Sequence, residues 1–228
     1  GQWIAILEGD DYWFPEKLNT QLAEITDDTI FSYGLYMDEI EGHFIEGLRP
    51  PFTGTIAIKQ FIPYLLLHQS YMLAVTQLIN KKALLRINGF HQDGSPAAVD
   101  MATMMRLINL PGDVIYIPKP LGVWRHHSRQ STNLLALELA KFNTSLVINY
   151  YDCLHASNKE ALTIKRSQIV SVRHEYIAAA AFGLMRGKLR QGDRNGLSDL
   201  ALEVWRFGGL KRKTQAVYSV VASIGGFD

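Results

Sequence analysis

Cysteine is nearly absent. The 228-residue chain has one, Cys153, so no intrachain disulfide can form and a cysteine-built metal centre is excluded. An excess of charge is missing too: 23 Lys+Arg face 22 Asp+Glu, for a formal net charge of +1. Such a chain has no global field to draw nucleic acid or an acidic polymer, and a general nucleic-acid binder is disfavoured. Long apolar runs are also missing. None approaches the roughly 18 residues of a membrane span, and the longest, such as Tyr64-Leu65-Leu66-Leu67, are closed by polar residues. What is there is ordinary globular composition, 47% hydrophobic and 20% charged. That suffices for one large domain, or a domain with an appendage, around a sizeable core. One thiol does not fix the compartment, though a reducing interior fits.

Trp3-Ile4-Ala5-Ile6-Leu7 reads as a buried parallel strand. Such a strand needs neighbours, and the chain starts at Gly1, not Met. The sequence is therefore expected to be the later part of a longer protein, and no signal peptide can be read from this start. A helix is expected after Pro15, through Lys17–Leu22, and a strand over 29–33. Residues 34–54 read as a hairpin or irregular loop, and 57–68 as a helix. Tyr71–Ile79 reads as a strand leading into a helix near Lys81–Ile87, ended by Asn88-Gly89. Ala97–Leu110 is amphipathic, with Met101, Met104, Met105 and Ile108 at helical intervals suited to a core. Val114–Ile117 reads as a strand closed by Pro118-Lys119-Pro120. Beyond Ser131 no alternating strand appears; helical spacing runs through 134–154, 159–186 and 196–207, with Ala178–Ala181 suited to close packing. Lys211-Arg212-Lys213 reads as a solvated helix end, and Trp3 and Trp205 as packing residues. No fixed-period repeat is found. The chain thus divides into an α/β part, 1–131, and a helical C-terminal region, 132–228.

Glu8-Gly9-Asp10-Asp11 follows the first strand directly. Crowded carboxylates raise each other's pKa, and a divalent cation relieves the repulsion. In open α/β sheets ligands bind outside the carboxyl ends of strands, and hard oxygen donors suit Mg2+ or Mn2+ with a diphosphate. An acidic turn can equally cap the helix that follows it.

With its context, the turn becomes more specific. Ile4-Ala5-Ile6-Leu7-Glu8-Gly9-Asp10-Asp11-Tyr12-Trp13, followed by Pro15-Glu16-Lys17-Leu18, resembles the acidic metal-binding motif of family-2 glycosyltransferases with the GT-A fold. Glu8 stands where that family usually has Asp. Gln77–Leu85 and Ile87-Asn88-Gly89-Phe90 resemble its segment of strand, basic residue, helix and Gly-Gly-Phe, with Asn88 in place of the first Gly. Val99-Asp100, opening a helix that reaches Arg106-Leu107, resembles its Glu-Asp helix, with Val99 replacing the Glu. Ile115–Leu121 and Trp124-Arg125-His126-His127 resemble its ending in Pro-x-Pro-Leu and aromatic-Arg-x-His. These landmarks keep the family's order across about residues 3–131; its nucleotide-binding first half has no counterpart here.

The resemblance implies a partial, Rossmann-like GT-A domain followed by a helical region. It implies inverting, metal-dependent transfer of a sugar from a nucleotide-diphosphate sugar to an acceptor hydroxyl. Asp100 would be the catalytic base, although its position also suits a helix cap. Glu8, Asp10, Asp11 and Arg125 would bind the donor, with Arg129 and Ser131 closing over the diphosphate. Mn2+ or Mg2+ would be held by Asp11 and Asp10 with His127; histidine pairs in loops are more often solvated. Acceptor contacts are expected from the 70s segment and from 91–99. The setting implied is cytoplasmic synthesis of cell-envelope polysaccharide or lipid-linked glycan, a setting that allows the inner membrane face. The helical tail would serve for peripheral membrane or protein contact. Without the missing half, the chain alone is expected to bind donor poorly. Two rivals stay open: a metal-dependent nucleotidyl or phosphoryl transferase, for which no Gly-rich phosphate loop is seen, and a non-catalytic scaffold whose tail binds a partner.

Overall fold

The structure is a computed structural model that describes residues 1–68, 72–94, 99–127, 130–154 and 156–225. It falls into two units: Gly1–Gln130 with Glu160–Thr163, and Ser131–Lys159 with Ile164–Asp228. The first carries β1 (Trp3–Ala5), β2 (Tyr12–Trp13), α1 (Lys17–Glu24), β3 (Thr29–Ile40), β4 (His43–Glu46), β5 (Gly54–Ala57), α2 (Ile58–Leu67), β6 (Leu78–Asn80), α3 (Lys81–Arg86), α4 (Val99–Leu107) and β7 (Asp113–His126). The strands form one sheet in the order β1-β6-β3-β7-β2, with β4 on β3 and β5 on β7.

The sheet is built on β3 and β7, which run parallel from Thr29 beside Asp113 to Ile40 beside His126. Thr29 to Tyr36 are all buried, as a run of β-branched and aromatic residues covered on both faces should be. The strand passes the expected end at Tyr33, continues to Ile40, and only then turns at Glu41-Gly42 into β4. The prolines do not close β7 either. Gly34 pairs with Ile117 and Leu35 with Pro120, so Pro118 and Lys119 form an exposed bulge. A bulge is where a strand tolerates residues that cannot donate to the ladder.

The opening strand also differs from its expected form. β1 is three residues long, half-buried, and pairs antiparallel with β6. Of the expected strand over 71–79, Tyr71 lies outside the described residues, Ala74–Thr76 form a 3-10 turn, and only the end enters β6. Asn80 caps α3 by accepting from the Lys82 and Ala83 amides at 2.9 and 3.3 Å. Asn88 and Gly89 end that segment at φ of 63° and 89°, the left-handed turn that the sequence requires. Met101, Met104 and Met105 of α4 are buried in the core. Helix α1 inverts the expected pattern: Lys17 and Gln21 face inward, while Leu18 and Leu22 are exposed.

The second unit is helical: α5 (Ser131–Leu134), α6 (Ala136–Cys153), α7 (Ala156–Ala161), α8 (Arg166–Arg190), α9 (Leu197–Phe207) and α10 (Leu210–Gly225). Ala178 and Ala181 of α8 are fully buried, so neighbouring backbones approach closely, and Phe182, Met185, Leu200 and Val204 join Ala181 in a core. Lys211-Arg212-Lys213 lies at a helix end, the first turn of α10, with Lys211 exposed and the other two partly covered. Arg212 pairs with Glu175 at 2.9 Å, and Lys213 lies over the Trp205 ring, which is exposed rather than packed inside. Among the described residues no helix is long and apolar enough to cross a membrane.

Gly34 lets β3 run past the bulge, because a Cβ there would lie 2.5 Å from Leu121 Cγ and 3.1 Å from the Ile117 carbonyl oxygen. Gly34→Ala is expected to cost about 1–3 kcal/mol in urea unfolding. Gly183→Ala, on exposed helix surface with nothing near its added Cβ, is expected to gain up to about 1 kcal/mol in the same assay.

Candidate active site

The acidic turn leaves the end of β1 and returns to the sheet at β2, which pairs with β7 through Tyr12 beside Val123 and Trp13 beside Gly122. A hydrogen bond from the Asp11 amide to the Glu8 carbonyl, 3.3 Å, closes the turn. The next residues of β7 are Trp124, Arg125 and His126, so the β2–β7 register delivers Glu8–Asp11 to the basic end of β7.

Asp10, Asp11, Arg125, His126 and His127 each have a defined partner. The Arg125 backbone amide donates to Asp11 Oδ1 at 3.1 Å. Asp10 Oδ2 lies 2.7 Å from His127 Nε2. The Arg125 guanidinium reaches Glu39 at 3.3 Å, and Glu39 also accepts from the Tyr12 hydroxyl at 3.0 Å. His126 instead stacks against Trp124, with ring centres 4.1 Å apart, and meets Asp38 at 2.7 Å. Gln130 donates to the Arg125 carbonyl and fixes the chain past β7. Asp100 sits in the first turn of α4 and accepts from the Met101 amide at 2.7 Å. Its carboxyl lies close enough to raise the Glu8 pKa by repulsion, so the α4 carboxyl and the turn share one electrostatic environment.

The carboxyls of that environment are pulled apart. Burial, then repulsion from Asp11, Asp100 and Asp10, raises Glu8 above the usual range. Burial raises Asp11 despite its bond to the Arg125 amide, and burial raises Asp100. Asp10 is lowered, chiefly by its hydrogen bond with His127. Carboxylates held in one place against their own repulsion are what a cation would relieve.

Asp38 and Glu39 join the site without a sequence motif to announce them; Tyr12, which bonds Glu39, belongs to the acidic motif itself. Asp38 and Glu39 belong to the extension of β3, where Leu35-Tyr36-Met37 already carries strand-forming residues. The hairpin expected within 34–54 forms between β3 and β4 and includes both residues, but their pairing with β7 has no local signal. Arg129, expected over the diphosphate, lies outside the described residues, as do 95–98 of the expected acceptor segment, Ala97 at the expected helix start, and His155. Of the described groups, the structure brings together Glu8, Asp10, Asp11, Asp100, Arg125 and His127. Among the described residues no three His, Cys, Asp or Glu side chains form a ready metal cluster. Mg2+-like ions take one or two protein carboxylates and fill their shell with water and phosphate, and the carboxylate and imidazole donors present fit that chemistry.

No family profile matches the sequence and no curated protein does. Among solved structures the chain is similar to residues 1–349 of S. aureus TarS in complex with UDP-GlcNAc, at 13% identity and a TM-score of 0.52. The match covers 100% of this chain and 66% of that one, so the chain spans just under two thirds of the neighbour's length. The likeness is one of fold: a glycosyltransferase-like α/β domain followed by a helical region.

Asp11 is 9% exposed and its carboxylate is disfavoured there. Asp11→Asn keeps an acceptor for the Arg125 amide while removing the charge. Its melting temperature at pH 7 is expected to rise by about 2–4 °C. A raised folded-state pKa means that the destabilisation sets in as pH rises past the unfolded-state value and is complete above the folded-state pKa. The gap between variant and wild type should therefore close as pH falls from the folded-state value to the unfolded-state one. A variant that melts lower at pH 7 would contradict this account.

Proposed function

We propose that the protein transfers a sugar from a nucleotide-diphosphate sugar to an acceptor hydroxyl. The observation that carries this reading is the meeting of the acidic turn, the Asp100 carboxyl and the Arg125–His127 end of β7 on a glycosyltransferase-like fold. That the neighbour was solved with UDP-GlcNAc supports a nucleotide-sugar donor.

In this mechanism Asp100 accepts the proton of the acceptor hydroxyl. Its raised pKa makes it a stronger base than an ordinary carboxylate. The hydroxyl oxygen forms its bond to the anomeric carbon as the bond to the diphosphate breaks on the opposite face, giving inversion. Arg125 presents a guanidinium to the phosphates. Glu8, or Asp10 in place of its role at the metal, would face the donor's ribose. Asp11 and Asp10, with His127, would hold Mn2+ or Mg2+, whose chemistry is to neutralise charge on the leaving diphosphate. His127 would exchange its hydrogen bond to Asp10 for that role, a small loss for an exposed pair. The setting we propose is glycan or cell-envelope polysaccharide synthesis in the cytoplasm.

Calorimetric titration of the full-length protein with UDP, ADP, GDP and CDP, with and without Mn2+, tests the donor site. One nucleotide is expected to bind only with the metal, and Asp11→Asn to weaken it at least tenfold. Asp100→Asn is expected to leave that binding in place and lower transfer by about 10²–10⁴-fold. Binding indifferent to Mn2+ and to Asp11, or no binding by the folded protein, would remove the donor-site assignment.

A further inference from the structure

Lys17 begins α1 and is 1% exposed. Its ammonium donates to Gln21 Oε1 at 2.6 Å and to the Gln77 carbonyl at 3.2 Å, and lies 4.9 Å from the centre of the Trp13 ring. Among the described residues no carboxylate pairs with it. Gln21, the next inward residue of α1, spends its amide on the Ser32 hydroxyl at 2.9 Å and the Thr76 carbonyl at 3.0 Å. The helix is thus fastened to β3 and to the approach to β6 by polar contacts where an apolar stripe would ordinarily serve.

A buried ammonium without a counter-ion is a poor way to stabilise a fold. Replacing buried charge with an apolar residue of similar size is often neutral or stabilising. Burial here is strong enough to push the lysine down to about 8. What Lys17 does have is a position. The ring beneath its ammonium belongs to Trp13, whose Nε1 donates to the Ile6 carbonyl at 3.2 Å. Ile6 is the first residue beyond β1 and leads into Glu8. The turn therefore hangs between two fastenings, Ile6 through Trp13 at one end and Asp11 through the Arg125 amide at the other.

We propose that Lys17 is a positioning residue for the acidic turn, acting through the Trp13 ring to hold the Ile6 end of that turn against the sheet. The consequence for donor binding rests on the reading of the turn given above. Lys17 touches none of Glu8, Asp10 or Asp11; it fixes the ring that fixes the chain leading to them. Cation–ring contact also explains why the inward residue is a long cation: an aliphatic side chain fills the space but has no electrostatic preference for the ring face.

Lys17→Met tests this, because it keeps length and removes charge. The variant loses its bonds to Gln21 and Gln77 along with an uncompensated buried charge, opposing effects, and is expected to stay folded and melt close to the wild-type temperature. Hydrogen–deuterium exchange should quicken at least tenfold over residues 6–14 and stay unchanged in α2 and β7's first half. Mn2+-dependent UDP affinity is expected to fall about tenfold, as when the support of a ligating group is removed. Trp13→Phe keeps a ring but loses the bond to Ile6 and should reproduce the exchange change, and the double variant should be no worse than either single one. Unchanged exchange over 6–14 in a folded Lys17→Met would overturn the proposal, as would additive effects in the double variant. A general loss of stability with exchange raised throughout the unit would overturn it too, by making Lys17 an ordinary core residue. Should wild type fail to bind UDP while the exchange changes appear as stated, the positioning role stands and the donor reading falls.

Discussion

The parallel pairing of β3 with β7 is the constraint on which the rest of the α/β unit depends. Its register puts Asp38 and Glu39 beside Trp124 and Arg125, and so fixes which side chains meet the basic end of β7. The two-residue β2 joins that end from the other side, and with it comes the acidic turn. Asp11 closes the arrangement by accepting from the Arg125 backbone amide, not from its side chain. The guanidinium is left to Glu39, at the surface, where it can change partners at little cost. Backbone holds the frame and side chains keep their freedom.

Within this frame, electrostatics and stability oppose one another. Glu8, Asp11 and Asp100 are all harder to ionise than ordinary carboxyls, and Asp10 is easier. A fold selected for stability alone would not crowd acids so close together around the buried Asp11, nor seat an ammonium under α1 in place of Leu18 or Leu22. Local rules broken in the acidic turn after β1, in α1 and in α4 mark a region shaped for something other than holding together.

Much of the fold is legible in the sequence because its elements are locally determined. The left-handed Asn88-Gly89 end, the methionine-lined α4 and the all-helical second unit follow from periodicity and turn chemistry. Sequence and structure part where tertiary pairing overrides local signals. Prolines at 118 and 120 read as a stop, yet β7 passes through them on a bulge. Gly34 and the charges at Asp38 and Glu39 read as a hairpin or irregular loop; the hairpin forms with β4, and β7 holds its first arm in the sheet. Motif order suggests which carboxyls stand together. It does not suggest that Arg125 is shared between Glu39 and, through its amide, Asp11, because no spacing in the sequence records a register between strands from opposite ends of the unit.

That distance along the chain has a kinetic meaning. β3 is made early and β7 late, and the loop between them must close before either central strand gains its main partner. Unions of this kind are slow, since chain entropy is lost before contacts compensate. Until β7 arrives, Ile30–Tyr36 has β6 on one edge, at Phe31 and Ser32, and its other edge is open, a stretch rich in aromatic and branched residues of the kind that recruits other chains. The pairing that builds the site last is therefore also the one that hides the most adhesive stretch of the polypeptide, so crowding during synthesis acts on the same step that makes the protein competent.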